Sequence, residues 1–146
     1  MLTGRFGNTT GAPYIEGRLH IPRFGLSTNV SFLIDTGADQ TVLSVDDAIR
    51  SGIDFATLTG NKSIGGIGGW VGMFEEPALA IFRGTSNLYL FELQILIPPA
   101  TPDMSRIPSL LGRDILKRVR MTSDPTNRVL TLEVLAADSV VPIPAP

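Results

Sequence analysis

The chain has 146 residues, 43% of them apolar and 18% charged, which is enough for one packed domain and too few charges for a disordered one. Its formal net charge is −2 and its twelve lysines and arginines are scattered, which argues against an electrostatic nucleic-acid binder. With no cysteine and one histidine, a disulfide framework, a thiolate zinc site and a cysteine nucleophile are excluded, and no metal site or cofactor is expected.

Residues 1–13 carry three glycines and a proline and read as a loose arm. Residues 14–21 alternate as a strand does, Pro22 and Gly25 punctuate, and an apolar run over 30–34 follows, which together predict a hairpin. His20 lies in that alternating stretch and reads as a structural or surface residue. A Ser-His-Asp hydrolase would need it as base, and no Gly-x-Ser-x-Gly elbow is present. The run ends in Asp35-Thr36-Gly37-Ala38, and a second apolar run follows at Thr41-Val42-Leu43. This predicts strand, tight turn, strand, with a carboxylate at the start of the turn. Thr36 can hydrogen-bond around the turn, and Gly37 permits close approach of backbone or ligand. An ionisable Asp35 at the edge of so apolar a run is costly unless the site uses it.

Ser44 followed by Val45-Asp46-Asp47 has the form of a helix start, and Gly52 stands where a short helix would stop. Residues 54–63 read as a connection. Ile64-Gly65-Gly66-Ile67-Gly68-Gly69 cannot pack a core, and it predicts a mobile tip with Trp70, Val71, Met73 and Phe74 alternating behind it. A phosphate-cradling loop would need a following Lys-Ser/Thr and a parallel-sheet setting, and neither is present. Residues 77–82 and 88–97 are strand candidates joined by a turn. Prolines 98, 99, 102 and 108 mark a loop. Leu111, Ile115, Leu116 and Val119 fall at helical spacing and predict the main helix over 113–120, with Lys117, Arg118 and Arg120 at its negative end. A turn at 124–127 and alternation of Leu130, Leu132 and Val134 give a last strand. The tail, 137–146, carries three prolines and is expected to hold no sheet ladder. The longest apolar-rich run, 88–100, contains Glu92, Gln94 and two prolines, so no membrane span is expected. No signal-peptide core is visible at the start, and a soluble, cytoplasmic location follows as the expectation.

Three stretches carry a resemblance. The apolar run into Asp35-Thr36-Gly37 resembles the active-site signature of aspartic proteases. The Gly-rich stretch from Ile64 to Trp70 resembles the flap tip of the single-domain retroviral type, the retropepsins. Leu110-Leu111-Gly112-Arg113-Asp114 resembles that family's second motif. They occur in the family's order, and together they cover roughly residues 30 to 120. The resemblance is closer to cellular and bacterial retropepsin-like domains than to the viral enzymes, because residues 129–134 are followed by a Pro-rich tail.

The resemblance implies an all-β, mainly antiparallel, closed and barrel-like fold over residues 1–136, with one main C-terminal helix and a flap hairpin. It implies an aspartic endopeptidase. That chemistry needs two carboxylates roughly 3 Å apart sharing one proton, with the ionised member activating water and the protonated member polarising the scissile carbonyl. Only one Asp-Thr-Gly is present, and Asp138-Ser139-Val140 lacks the glycine, so the second carboxylate comes from a second copy and the active species is a homodimer. The residues implied are Asp35, Thr36 and Gly37 at the catalytic turn. For an extended peptide they are Ala38, Asp39, Val42, Ile64, Gly65, Gly66, Ile67 and Leu110. Gly112 and Arg113 give structural support, with Arg113 pairing Asp39, and Trp70 packs at the flap hinge. Apolar side chains flanking the cut are the expected preference. Two other readings stand beside this one. A module of the same fold could capture peptides without cutting them, against which an intact Asp-Thr-Gly argues, and an unrelated β-rich domain could carry the motifs by chance.

Overall fold

The computed structural model describes residues 1–66 and 69–144. In chain order the strands are β1 (Leu2–Thr3), β2 (Arg5–Phe6), β3 (Pro13–Ile21) and β4 (Leu26–Ile34), followed by helix α1 (Val45–Ser51). Then come β5 (Asn61–Gly66), β6 (Gly69–Arg83), β7 (Asn87–Ile97), β8 (Leu110–Leu111), helix α2 (Arg113–Leu116), β9 (Val119–Asp124), β10 (Val129–Val134) and β11 (Ser139–Pro142). One sheet runs β11-β7-β6-β3-β4-β8, with β2 beside β3 and β5 beside β6, and a smaller one runs β1-β10-β9.

The larger sheet is mostly antiparallel but does not close, which corrects the barrel-like expectation. The outermost named strands on its path, β8 and β11, are both short. At one end β8 is two residues long, confined between Pro108 and Gly112. At the other, β11 ends at Pro142, which has no N–H to extend a ladder.

Alternation in β3, β4, β6 and β7 turns Leu19, Ile21, Phe32, Phe82, Phe91 and Ile95 into one core, all of them essentially inaccessible. The Phe32–Phe82 and Phe82–Phe91 ring pairs each have centroids 6.0 Å apart. Gly17 makes room for them, since a Cβ there would stand 2.6 Å from the Phe82 ring. The predicted cap holds: the Ser44 hydroxyl accepts from the Asp47 N–H at 3.0 Å, and Gly52 closes α1 at φ 96°.

Three further expectations are corrected, two of them at the ends of the chain. The N-terminal arm is docked, with Leu2 buried opposite Leu132 and Arg5 opposite Tyr14. Gly4 permits this contact, because its Cβ would lie 2.6 Å from the Tyr14 carbonyl oxygen. The helix expected over 113–120 ends at Leu116. Of the residues at helical spacing, Leu111 belongs to β8 and Val119 to β9, whose pairing with β10 (Val119↔Val134, Met121↔Leu132) takes the chain out of the helix. The tail does form a ladder: Ser139–Pro142 pairs with β7, from Ser139↔Leu90 to Pro142↔Asn87. It is an edge strand, where a proline at the end costs no pairing. Asp138 fastens its start, accepting from Arg118 at 3.1 Å and from the Glu92 N–H at 2.7 Å, which hold its carboxyl below the usual carboxylate range.

Candidate active site

β4 delivers Asp35 to the end of the sheet, beside the two-residue strand β8. β4 and β8 run parallel in the register Leu33↔Leu110 and Ile34↔Leu111, and the Asp35 N–H donates to the Leu111 carbonyl at 3.0 Å. The chain then turns through 35–40 and returns on the far side of β8. There Val42 and Leu110 exchange both backbone hydrogen bonds, each at 2.9 Å. The predicted second strand is thus reduced to a bridge at Val42, which also pairs with Leu96. β8 is clamped from both sides, and the loop carrying Asp35 is closed over its end.

Within the loop, the Gly37 N–H donates to Asp35 Oδ1 at 2.9 Å and the Ala38 N–H to the Asp35 carbonyl at 3.2 Å. Thr36 and Gly37 are exposed and Asp35 is partly so. No donor among the described residues reaches Asp35 Oδ2. The loop is held from outside by Arg113 at the start of α2. Its N–H donates to the Ala38 carbonyl at 2.8 Å, its Nη1 donates to the Thr36 carbonyl at 2.7 Å, and its Nη2 pairs with the Asp39 carboxylate. The structure therefore brings Asp39 and Arg113 together, on the surface, with the Asp39 side chain 83% exposed.

Beneath the loop lies a polar lock that the motif reading did not assign. The Asp114 carboxylate accepts from the Thr41 N–H at 2.9 Å and from its hydroxyl at 2.8 Å, and the same hydroxyl accepts from the Gly112 N–H at 3.2 Å. Thr41 is fully buried. Gly112 lies against this lock so closely that a Cβ would meet the Gln40 carbonyl carbon at 2.5 Å and oxygen at 2.6 Å. Its φ of −95° is open to any residue, so close approach alone requires the glycine. A second lock joins α1 to the segment before β8. The Ser109 hydroxyl donates to Asp47 at 2.6 Å and accepts from the Ser44 N–H at 2.9 Å, while Arg50 donates to Asp47 at 2.8 Å. Burial pushes the Asp47 carboxyl up, but the bonds from Ser109, Arg50 and Ser44 outweigh it and leave it below the ordinary range. The threonine after Gln40 and the acid after Arg113 were visible in the sequence as motif neighbours. Their partnership across 73 positions was not.

An apolar cluster lies beside the loop. Val42, Met73 and Leu96 are buried, with Ile64, Met104, Ile107 and Leu110 packed against them. The predicted Val42, Ile64 and Leu110 therefore meet in one place. Met104 and Ile107 come from the Pro-rich loop, where two apolar residues among prolines were the only signal. β5 and β6 form the predicted hairpin, with Gly65↔Trp70 and Gly66↔Gly69 in register. Ile67, read as its tip, and the Trp70 side chain, read as hinge packing, lie outside the described residues. At its base, Lys62 pairs with Gln40, whose Nε2 donates to Glu75 and to the Gln94 carbonyl, each at 3.0 Å. A cavity of about 480 Å³ beyond this point is lined by Gln40, Glu92, Gln94, Asp114 and Lys117, without Asp35.

Among the described residues, no group of three or more His, Cys, Asp or Glu side chains is placed to hold a metal, and no helix is long and apolar enough to cross a membrane.

The chain matches the family model described as retroviral aspartyl protease over residues 12–122. Its fold is similar to that of a retropepsin-like aspartic protease from Rickettsia conorii, with a TM-score of 0.64 at 19% identity, over 98% of this chain and 92% of the other. It is also similar to EIAV protease in complex with the inhibitor HBY-793, with a TM-score of 0.51 at 24% identity, over 76% of this chain and 90% of that one. No curated protein matches the chain in sequence.

Proposed function

The chain belongs to the retroviral aspartyl protease family and is an aspartic endopeptidase, and we propose that it cuts extended peptides through a water held between two Asp35 carboxylates, one from each subunit of a homodimer. The observation that carries this reading is the loop at the end of β4. Asp35 occurs in the chain's only Asp-Thr-Gly, is partly exposed, and is fixed through backbone and Oδ1 contacts, with no donor among the described residues on Oδ2. Aspartic endopeptidase chemistry needs two carboxylates that share a proton, one such turn is present per chain, and a two-fold axis beside Asp35 supplies the other.

In the reaction the pair holds one proton. The ionised Asp35 removes a proton from water as the water oxygen bonds to the scissile carbonyl carbon. The protonated Asp35 of the second subunit donates to the carbonyl oxygen, giving a tetrahedral diol. Collapse breaks the C–N bond: the nitrogen takes the proton held by one Asp35 while a diol hydroxyl gives its proton to the other, leaving a carboxylic acid, a free amine and one proton on the pair. Asp35, Thr36 and Gly37 form the catalytic turn, with Thr36 exposed where it can engage the second loop. Ala38 and Asp39 line the floor, Gly65, Gly66 and Ile67 the covering flap, and Val42, Ile64 and Leu110 an apolar pocket wall. Gly112 and Arg113 support the loop from behind. Main-chain pairing with the flap and floor would bind the peptide as an added strand, with apolar side chains entering the Val42–Ile64–Leu110 cluster. Residues 1–136 form the protease unit and 137–146 its tail.

The test is cleavage of a diverse peptide mixture by the purified chain beside Asp35→Asn, from acid to neutral pH. Cuts between apolar residues that vanish in the variant are the expected result. Cuts that persist in Asp35→Asn, or a dimeric wild type that binds peptides and cuts none, would overturn the proposal.

A further inference from the structure

The ribbon of β5 and β6 leaves the sheet at a sharply defined level. β6 pairs with β7 only from Phe74↔Ile97 onward, so residues 69–73 have β5 as their strand neighbour, and β5 starts at Asn61. Whatever fixes the chain at 57–61 and at 74–76 therefore sets the angle at which the ribbon leaves the sheet.

One side chain does both. Glu76, on β6 just inside the sheet, is buried at 2% exposure, the only buried acid among the described residues. Arg23, from the 3-10 turn Pro22–Phe24 between β3 and β4, grips it through two nitrogens, Nε to Oε2 at 3.2 Å and Nη2 to Oε1. The same Nη2 donates to the Thr57 carbonyl at 2.8 Å, on the connection that leads into β5. The guanidinium lies over the Phe24 ring, 4.3 Å from its centre, which holds its plane. Close by, the Glu75 N–H donates to the Gly60 carbonyl at 2.7 Å. Gly60 sits at φ +72° with no room for a Cβ, which would stand 2.8 Å from the Glu75 carbonyl oxygen. Phe55 meets Phe74 edge-on, ring centres 6.5 Å apart.

We propose that Arg23, acting through Glu76 and the Thr57 carbonyl, is a positioning residue that pins both arms of the flap at its pivot and so sets how readily peptide is captured. The inference rests on the reading of the β5–β6 ribbon as the flap over Asp35. A buried acid could be neutralised by any cation. What the site uses is a rigid fork with three donors in one plane, two for Glu76 and one for the connection, a task a lysine ammonium cannot perform in one geometry. Because the clamp touches no reacting atom, its loss lowers the fraction of chains with a competent flap, which raises the apparent dissociation constant by the inverse of that fraction and leaves the chemical step alone.

The experiment combines hydrogen exchange with kinetics on Arg23→Lys and on the paired variant Arg23→Leu/Glu76→Leu. The paired variant removes the clamp without stranding a buried charge, so it keeps the test alive if the single variant folds poorly. In both, amides of 61–66 and 69–73 should exchange about tenfold faster while those of β3 and β4 are unchanged, and KM should rise about tenfold with kcat within about twofold. Uniformly faster exchange, or flap amides and KM unchanged from wild type, would overturn the proposal. Exchange is read without turnover. A chain that proves not to cut peptides therefore defeats the endopeptidase reading, while the exchange result still decides the clamp.

Discussion

Gly112→Ala puts one methyl group into the most crowded contact behind the candidate active site. The new carbon would stand 2.5 Å from the Gln40 carbonyl carbon, 2.6 Å from its oxygen and 2.9 Å from the Thr41 nitrogen. Ordinary carbon contacts sit at about 3.5–4.0 Å, so the two backbones must part by about 1 Å. Neither can yield cheaply: Gly112 donates to the Thr41 hydroxyl, which donates to Asp114, and Thr41 is fully buried. Overpacking of this kind costs about 1–3 kcal/mol. Lengthening the partly buried, charge-assisted Thr41–Asp114 bond adds roughly another 1 kcal/mol. A loss of about 3 kcal/mol is a large part of the roughly 5–15 kcal/mol that holds a domain folded. Because the backbone that shifts carries the Asp35 loop, a displacement near 1 Å should also lower kcat/KM by about 100-fold. Urea unfolding at constant m-value and peptide cleavage of the folded fraction measure the two effects separately. The backbone at Gly112 is extended at φ −95°, so alanine incurs no conformational penalty there. Stability within about 0.5 kcal/mol of wild type, the range of neutral surface changes, together with undiminished cleavage would refute the reasoning.

Other outcomes follow from the same geometry. Asp47 has its carboxyl held down in the folded chain, so its contribution is complete above the unfolded carboxylate pKa of about 3.9 and is lost as pH falls through the lower folded value. Urea midpoints should therefore fall on acidification below about pH 4, and Ser109→Ala should lower the unfolding free energy at neutral pH by about 1–3 kcal/mol and flatten that fall. Leu2→Ala, which empties a site buried at 3% exposure, should cost about 2–5 kcal/mol in calorimetry or urea. A cost near zero would mean the arm is loose after all. Arg113→Ala breaks a pair whose side chains are 49% and 83% exposed, so its stability cost should be about 1 kcal/mol or less by urea unfolding.

Legibility in the sequence tracked how local the determining physics is. The Ser44 cap, the Gly52 stop, the β6–β7 hairpin and the alternating core of β3 and β4 depend on residues a few positions apart, and all were readable. The Asp35 and Gly112-Arg113 stretches were readable as motifs, and Val42, Ile64 and Leu110, each implied by resemblance, meet in one apolar cluster. The short α2 was misread because Leu111, Ile115 and Val119 satisfy a helical spacing while belonging to two strands and a single turn between them. The docked arm and the tail ladder were missed for a different reason. Glycine and proline counts describe what a segment can do alone, whereas Leu2 and Ser139–Pro142 are ordered by edges built elsewhere, at β10 and β7. The Thr41–Asp114 and Arg23–Glu76 contacts are polar pairings 73 and 53 positions apart, and nothing in either segment alone announces its partner.

In the proposed site two Asp35 carboxylates come from two chains, and a subunit titration tests that most directly. Wild-type chain at fixed concentration is mixed with increasing Asp35→Asn chain, exchanged to equilibrium, and assayed on a peptide cut between apolar residues. If each site needs both carboxylates, pairing at random across the two-fold leaves about a quarter of the dimers active in an equal mixture, so activity per dimer falls as the square of the wild-type fraction. Activity that tracks the wild-type fraction linearly would mean that one chain suffices, and would contradict the shared site.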